Sequence, residues 1–430
     1  MSLINQNLKE LKSFFILWLS QSLSALGSAM TNFALVIWSY QQYGSALQTA
    51  LLSISSYAPY VIMSIFAGAL SDRWNKKTVM LVCDSFAALC TVTVLILLQS
   101  GRLALWHLYG LNALNGLMNT IQQPASDVSI SLLVPKRHFQ RISGLRSLSN
   151  SLVTVLTPVL ATALLSFSSM QAVIFADLAT FAFAFISLLC FVKIPAVETG
   201  ESSQESVLQS AGAGLRYLKQ NRGILDLILF LAGINLIASM YNAALPAMIL
   251  SRENGGEAVL GFVNTAAGLA TLAGSILVSI LPAPKSRVRI ICNTLLFSMS
   301  MENFLLAFSR SPVVWCAGAV LGWIAVPMMG ANMDVLFRNR IPIEMQGRVY
   351  AARNTLQFFT IPVGYLLGGV FVDQICEPFM AVQSAGSLPS LLFGIGKGSG
   401  ASLLFFFLAI AGISVCLFFR RSPHIWSLEE

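Results

Sequence analysis

Apolar runs of about twenty residues, broken by short polar joints, recur from one end of the chain to the other. Each is long enough as a helix to cross a hydrocarbon layer of ~30 Å. They predict twelve membrane helices over 13–39, 46–71, 78–99, 103–127, 146–166, 171–192, 223–250, 258–281, 288–308, 312–336, 351–373 and 400–420. The first run follows Lys9 and Lys12 but is too long for a signal peptide, and no small-residue cleavage site follows it. It is expected to be a permanent helix. One long polar segment, Lys193 to Arg222, separates two groups of six and divides the chain into 1–192, a cytoplasmic linker 193–222, and 223–430. Within the linker Leu208, Ala211, Leu215 and Leu218 share a helical face opposite Arg216, Lys219 and Arg222. That pattern fits a helix lying on the membrane surface and equally an ordinary linker helix.

Composition agrees with the pattern: 56% of the 430 residues are hydrophobic and 10% charged, with a mean hydropathy of +0.74. A soluble domain would need a far more charged surface. Of the 26 Lys and Arg, all but Arg102, Arg252, Arg310 and Lys397 fall on one side of the expected topology. The positive-inside rule makes that side cytoplasmic and places both termini there. The net charge of +8 then reflects topology and contact with anionic lipid, not nucleic-acid binding. The seven cysteines fall mostly inside the runs, without metal-ligand spacing, and read as small core residues.

The two groups are related in sequence. The offset that places Asp127 on Asp334 also places Pro135 on Pro342, Arg141 on Arg348 and Arg146 on Arg353. Both copies sit at the junction of the fourth and fifth helix of their group, in the same orientation. A parallel repeat of this kind places a substrate site between its halves.

Polar residues inside the runs are costly in lipid and mark cavities or helix contacts. Asn112, Asn115, Asn119 and Gln122 form a stripe on the fourth helix. Gln21, Ser24, Ser28 and Asn32 form one on the first, and Asn235, Ser239 and Asn242, beside Tyr241, one on the seventh. Either interhelical hydrogen bonding or a water-accessible cavity explains any one stripe; three together favour the cavity. Three acids lie embedded elsewhere: Asp84, Asp177 and Glu302, on the third, sixth and ninth helices. They are expected to pair with neighbouring helices or to carry protons, with Glu302, the deepest, as first candidate. The three scattered histidines have no nucleophile and base spacing, and GIGKGSG at 394–400 lacks the first glycine and the final Ser or Thr of a phosphate-binding loop. An enzyme and a bound cofactor or metal are not expected.

The stretch GALSDRWNKK at 68–77 concentrates an acid and three bases between two apolar runs. It resembles the loop signature after the second helix of the major facilitator superfamily, matched by Gly68, Leu70, Ser71, Asp72, Arg73, Lys76 and Lys77. Asn75 stands in place of the turn glycine, as the residue that best tolerates positive φ. The second-half counterpart, LPAPKSRVR at 281–289, keeps bases but no acid. The 122–150 region, QNRGILDLILFLAGINL and FGIGKGSGASLLFF are similar to bacterial exporters of the macrolide-efflux and enterobactin-exporter type.

The resemblance implies an all-α fold of two pseudo-symmetric six-helix halves whose helices 1, 4, 7 and 10 line a central cavity. That adds Trp323, Met328 and Met329 to the wall, which then suits a bulky amphipathic substrate. The acids on helices 3, 6 and 9 are expected at the periphery. The resemblance also implies a cytoplasmic gate: Gly68 lets the second helix approach the eleventh, Asp72 caps the eleventh helix, Lys76 pairs with Asp127, and Arg146 and Arg353 brace Asp127 and Asp334. The family's antiporter glycines in the fifth helix are replaced by Thr157, Pro158, Val159, Leu160, Ala161 and Thr162, whereas Gly364, Gly368 and Gly369 keep small residues in the eleventh. The expectation is a monomeric secondary transporter in a bacterial cytoplasmic membrane, exporting a drug-, macrolide- or siderophore-like compound, coupled to protons. A lipid or lysolipid flippase and a non-transporting receptor are the alternatives.

Overall fold

The computed structural model describes residues 11–135, 138–194, 215–282 and 284–429. The side chains of Gly68, Asp72, Arg73, Arg141 and Arg348, and the linker positions Leu208 and Ala211, lie outside the described residues. Among those described there is no strand.

Six helices come before the linker: α1 Lys12–Tyr43, α2 Ala46–Arg73, α3 Lys76–Gln99, α4 Leu105–Leu133, α5 Phe139–Phe167 and α6 Met170–Phe191. Three continuous helices follow it: α7 Arg222–Ser251, α8 Glu257–Ile280 and α9 Arg287–Phe308. Next comes α10, in two segments, Pro312–Trp323 and Val326–Arg340. The composite α11 joins Ile343–Phe358, Thr360–Val370, a wide-turn π segment Phe371–Cys376, and Glu377–Ala381. The last long helix is α12, Ser399–Arg420. Ten of these twelve rods are long and apolar enough to cross a membrane by length and composition. The other two, α2 and α4, have 28 and 29 residues, and the amide stripe on α4 lowers its hydropathy. Helices are the form such runs take because lipid offers backbone groups no other partner. Exposed Leu89, Ile96, Phe183, Phe262, Leu277 and Phe407 clothe the rods outside, a surface suited to hydrocarbon.

Several limits differ from the sequence expectation: α4 runs on to Leu133, and α5 and α11 begin at Phe139 and Ile343, six to eight residues beyond the expected runs. The run 312–336 is one stretch of apolar sequence but two helical segments, because Pro327 lacks the N–H that would continue the ladder across Ile324 and Ala325. The eleventh helix continues past 373 to Ala381, absorbing an extra residue in its π turn.

Asn75 also plays a different role from the one expected. Its φ is −60° and ψ 119°, so no positive φ is required there. Its side-chain oxygen accepts the backbone N–H groups of Lys77 and Thr78 at 3.0 and 3.3 Å, capping α3. Two of the four unpaired donors at the helix start are satisfied in this way.

The chain divides into two compact units, one of Met1–Leu35 with Ser55–Gln204, the other of Val36–Ile54 with Glu205–Glu430. The turn between α1 and α2, with its flanking helical turns, thus groups with the second unit and not with 1–192. In the first unit α3 packs on α4 and α6, around a core of Leu17, Met80, Cys83, Ala125 and Leu188. In the second, α9 packs on α12 and α10, and α7 on α11. Gly364 and Gly368 of α11 meet the α7 backbone at Leu236 and Met240, where any β-carbon would overlap.

Capping by Asn75 makes a defined prediction. Asn75→Ala lowers stability by about 1 kcal/mol, and Asn75→Gly by a few tenths. Thermal unfolding of the purified protein in detergent measures both. A Gly variant more stable than the parent would instead mean that the position demands positive φ.

Candidate functional site

The first unit bears an open cavity of about 510 Å³, lined by α1, α3, α4, α5 and α6. Two carboxylates lie on its wall. Asp84 of α3 is 7% exposed and Asp177 of α6 is 3% exposed. Each uses both oxygens. Asp84 accepts the Gln21 amide at 3.2 Å and the Gln122 amide at 2.6 Å. Asp177 accepts the Ser28 hydroxyl at 3.0 Å and the Thr91 hydroxyl at 3.4 Å. Every one of these donors is neutral. Arg146 also reaches the wall, but its guanidinium is engaged with the Asp127 carboxylate in an ion pair. The cavity therefore carries carboxylates without a dedicated counter-ion, an arrangement that is expensive in a low-dielectric interior unless a proton or a cationic ligand supplies the missing charge.

This corrects the expected place of two acids. Asp84 and Asp177 are not peripheral; α3 and α6 turn them toward the α1 and α4 stripes. A single acid in an apolar helix has no periodic companions, so its sequence gives no facing direction. The α1 stripe splits its work: Gln21 and Ser28 hold the acids, while Ser24 and Asn32 line the open space. On α4, Asn119 and Gln122 reach the cavity wall, whereas Asn115 and Asn112, one and two turns away, are not part of it. Thr91, Ser149 and Asn150 also line it. Their sequence carried one usable signal: Thr91 lies seven residues after Asp84, two helical turns along the same face. Leu17, Trp18, Ile130 and Phe181 complete the wall with apolar surface.

The second unit arranges its polar residues differently. Glu302 of α9 is 4% exposed, accepts the Trp323 indole N–H at 3.1 Å and lies against Gly322 of α10. Tyr241, expected on a cavity wall, is 6% exposed and packs edge-on against Phe405 at 5.4 Å. Tyr241 and Trp323 thus face the interior around Glu302 and not open space. Asn235 donates to the Gln357 carbonyl at 3.3 Å, Asn242 is exposed, and the Met328 carbonyl accepts the Asn332 amide at 2.8 Å.

The repeat appears as twin ion pairs, Arg146 with Asp127 and Arg353 with Asp334, the latter at 3.9 Å. Arg353 also donates to Gln357 at 3.0 Å and sits over the Phe337 ring at 4.7 Å. The expected Lys76 to Asp127 pair is not formed: the Lys76 ammonium donates to the Trp74 carbonyl at 3.3 Å, and Asp127 is held by Arg146.

A polar, carboxylate-bearing cavity inside a bundle of membrane helices is a feature of membrane transport proteins. Residues 17–365 match the Major Facilitator Superfamily, and the chain belongs to that family; it is a multi-pass membrane transporter and not an enzyme. It is 23% identical over 366 residues to macrolide efflux protein A of Streptococcus pyogenes, covering 84% of this chain and 90% of that protein. It is 22% identical over 381 residues to the multidrug efflux pump Tap of Mycolicibacterium fortuitum, covering 86% and 91%. Among solved structures, the nucleoside transporter NupG superposes with a TM-score of 0.68 at 14% identity, over 94% of this chain and 98% of that one.

The cavity geometry predicts that cysteines placed at Asn32 and Asn119, in a background freed of native cysteines, react with a polar thiol reagent. A cysteine at Glu302 stays protected under the same conditions. Labelling followed by mass spectrometry reads the difference, and equal protection at all three sites would contradict the assignment.

Proposed function

We propose that this transporter is a secondary active exporter of bulky amphipathic compounds, drawing on the proton gradient and working by alternating access. Its proposed place is a bacterial cytoplasmic membrane, with both termini in the cytoplasm, as the distribution of Lys and Arg suggests. The observation that carries the reading is the cavity of the first unit. Trp18, Phe181 and Ile130 offer apolar surface, and Asn32, Asn119 and Ser24 offer hydrogen bonds. Such a mixture suits a ligand with one greasy and one polar face. Asp84 and Asp177 supply the charge that a proton or a basic substrate group neutralises, which links substrate occupancy to protonation. The relatives named for macrolide and multidrug efflux support export of this class.

In this scheme Gln21, Gln122, Ser28 and Thr91 hold the two carboxylates in place when ionised. Glu302, enclosed by Trp323 and Gly322, is assigned a structural part, a change of emphasis from the depth-based expectation. Asp72, with Gly68 and Arg73 beside it, remains the proposed cytoplasmic gate on the resemblance alone, and Arg141 and Arg348 its repeat-related bases.

The test is efflux of a panel of macrolides, dyes, siderophores and lysolipids from cells with and without the gene, followed by reconstitution in proteoliposomes. Asp84→Asn and Asp177→Asn each lower proton-driven accumulation at least about tenfold while leaving downhill exchange, and Glu302→Gln leaves both close to the parent. A tenfold change corresponds to about 1.4 kcal/mol. Full uphill transport by the double Asp84→Asn, Asp177→Asn variant would defeat the coupling scheme. Movement of lysolipids alone would favour a flippase.

A further inference from the structure

The second unit contains a carboxylate whose partners are all on one helix start. Asp373 lies in the π segment of α11, where the extra residue per turn redirects the side chain. Its two oxygens accept three hydrogen bonds: from the Ser45 hydroxyl at 2.6 Å, the Ala46 N–H at 3.0 Å and the Leu47 N–H at 2.9 Å. These are the first residues of α2. The amides there have no partner within the helix, and the helix dipole favours an anion at that end. One turn earlier on α11, Gly369 meets the Leu47 backbone so closely that any β-carbon would overlap it. Two further contacts fix the same turn: Tyr40 to Ser251 at 2.6 Å, and Gln41 to Glu257.

We propose that Asp373 is a latch that holds the α1–α2 turn, residues 36–54, onto the second unit and lets it go as the transporter changes state. The proposal rests on the alternating-access reading for its role. Its construction rests on the contacts alone. Ser45 shows why the latch is reversible. While its hydroxyl donates to Asp373, its oxygen accepts the Gln48 N–H at 3.1 Å. Releasing Asp373 therefore leaves α2 capped by Ser45, and the helix start persists in both states. The amides of Ala46 and Leu47 exchange a carboxylate for water, while that of Gln48 keeps its partner. By the charge asymmetry, the turn lies at the face opposite the proposed gate at Asp72.

Spin labels at the exposed positions Gln42 and Val382, in a full-length background freed of native cysteines, read the separation of the turn from the end of α11. Hydrogen exchange reads the α2 amides. The parent gives one short separation and slow exchange at Ala46 and Leu47. Asp373→Asn raises a longer-separation population about tenfold or more and speeds exchange at Ala46 and Leu47 but not at Gln48. Ser45→Ala, which removes one bond and keeps the carboxylate, gives a smaller rise in the same population and faster exchange at Gln48; it serves equally if the Asp373 variant does not fold. Parent-like separations and exchange in whichever of these variants folds would overturn the latch. Neither readout requires transport, so a parent without efflux would retire the export reading while leaving the latch to stand on its own result.

Discussion

Hydrocarbon offers no hydrogen-bond partner, and a charge placed in it must find one inside the protein. That constraint shapes both the helices and what they enclose. Asp84 of α3 and Asp177 of α6 draw donors from α1, α3 and α4, so two carboxylates tie four helices together around a polar space. Because the donors are amides and hydroxyls, the site is held together without a permanent counter-ion. A charge balanced by a fixed arginine is already neutralised; a charge held by neutral donors is not.

The two units solve the same problem in opposite ways despite their common repeat. Twin Arg and Asp pairs survive at the same place in each. Away from those pairs, the first unit turns its acids toward open space, whereas the second closes Trp323, Gly322 and Tyr241 around Glu302. Sequence divergence after duplication has thus left one half with acids on a cavity wall and the other with its acid packed in the interior. The irregular backbone follows the same division: the α10 break and the π turn of α11 both lie in the second unit.

Capping links several of these features. Asn75 closes the start of α3, Ser169 that of α6 and Ser286 that of α9, each with a side chain from the residue before the helix. At α2 the task is shared between Ser45 and Asp373 of α11, and at the start of α12 Glu377 of α11 likewise accepts the Gly398 N–H. The charged signature at 68–77 is in part a cap as well: Asn75 serves the helix geometry, and Lys77 donates to the Leu189 and Val192 carbonyls at the end of α6.

The one-dimensional pattern of the sequence determined the number and approximate limits of the membrane helices, the internal repeat, the sidedness of charge and the polar stripes of α1 and α4. Hydrophobic length and helical period are properties of a segment by itself, and a segment in lipid has little freedom to depart from them. The direction in which a lone acid points is not such a property. Asp84, Asp177 and Asp373 each sit singly among apolar residues, and only the packing of α3, α6 and α11 decides which neighbours they meet. The same holds for Tyr241, whose stripe neighbours suggested an open wall, and for Trp323, placed on that wall by the resemblance; both turn toward Glu302. A hydrogen bond between residues far apart in the chain is fixed by where the helices cross, and that crossing is set by side-chain packing across many residues at once.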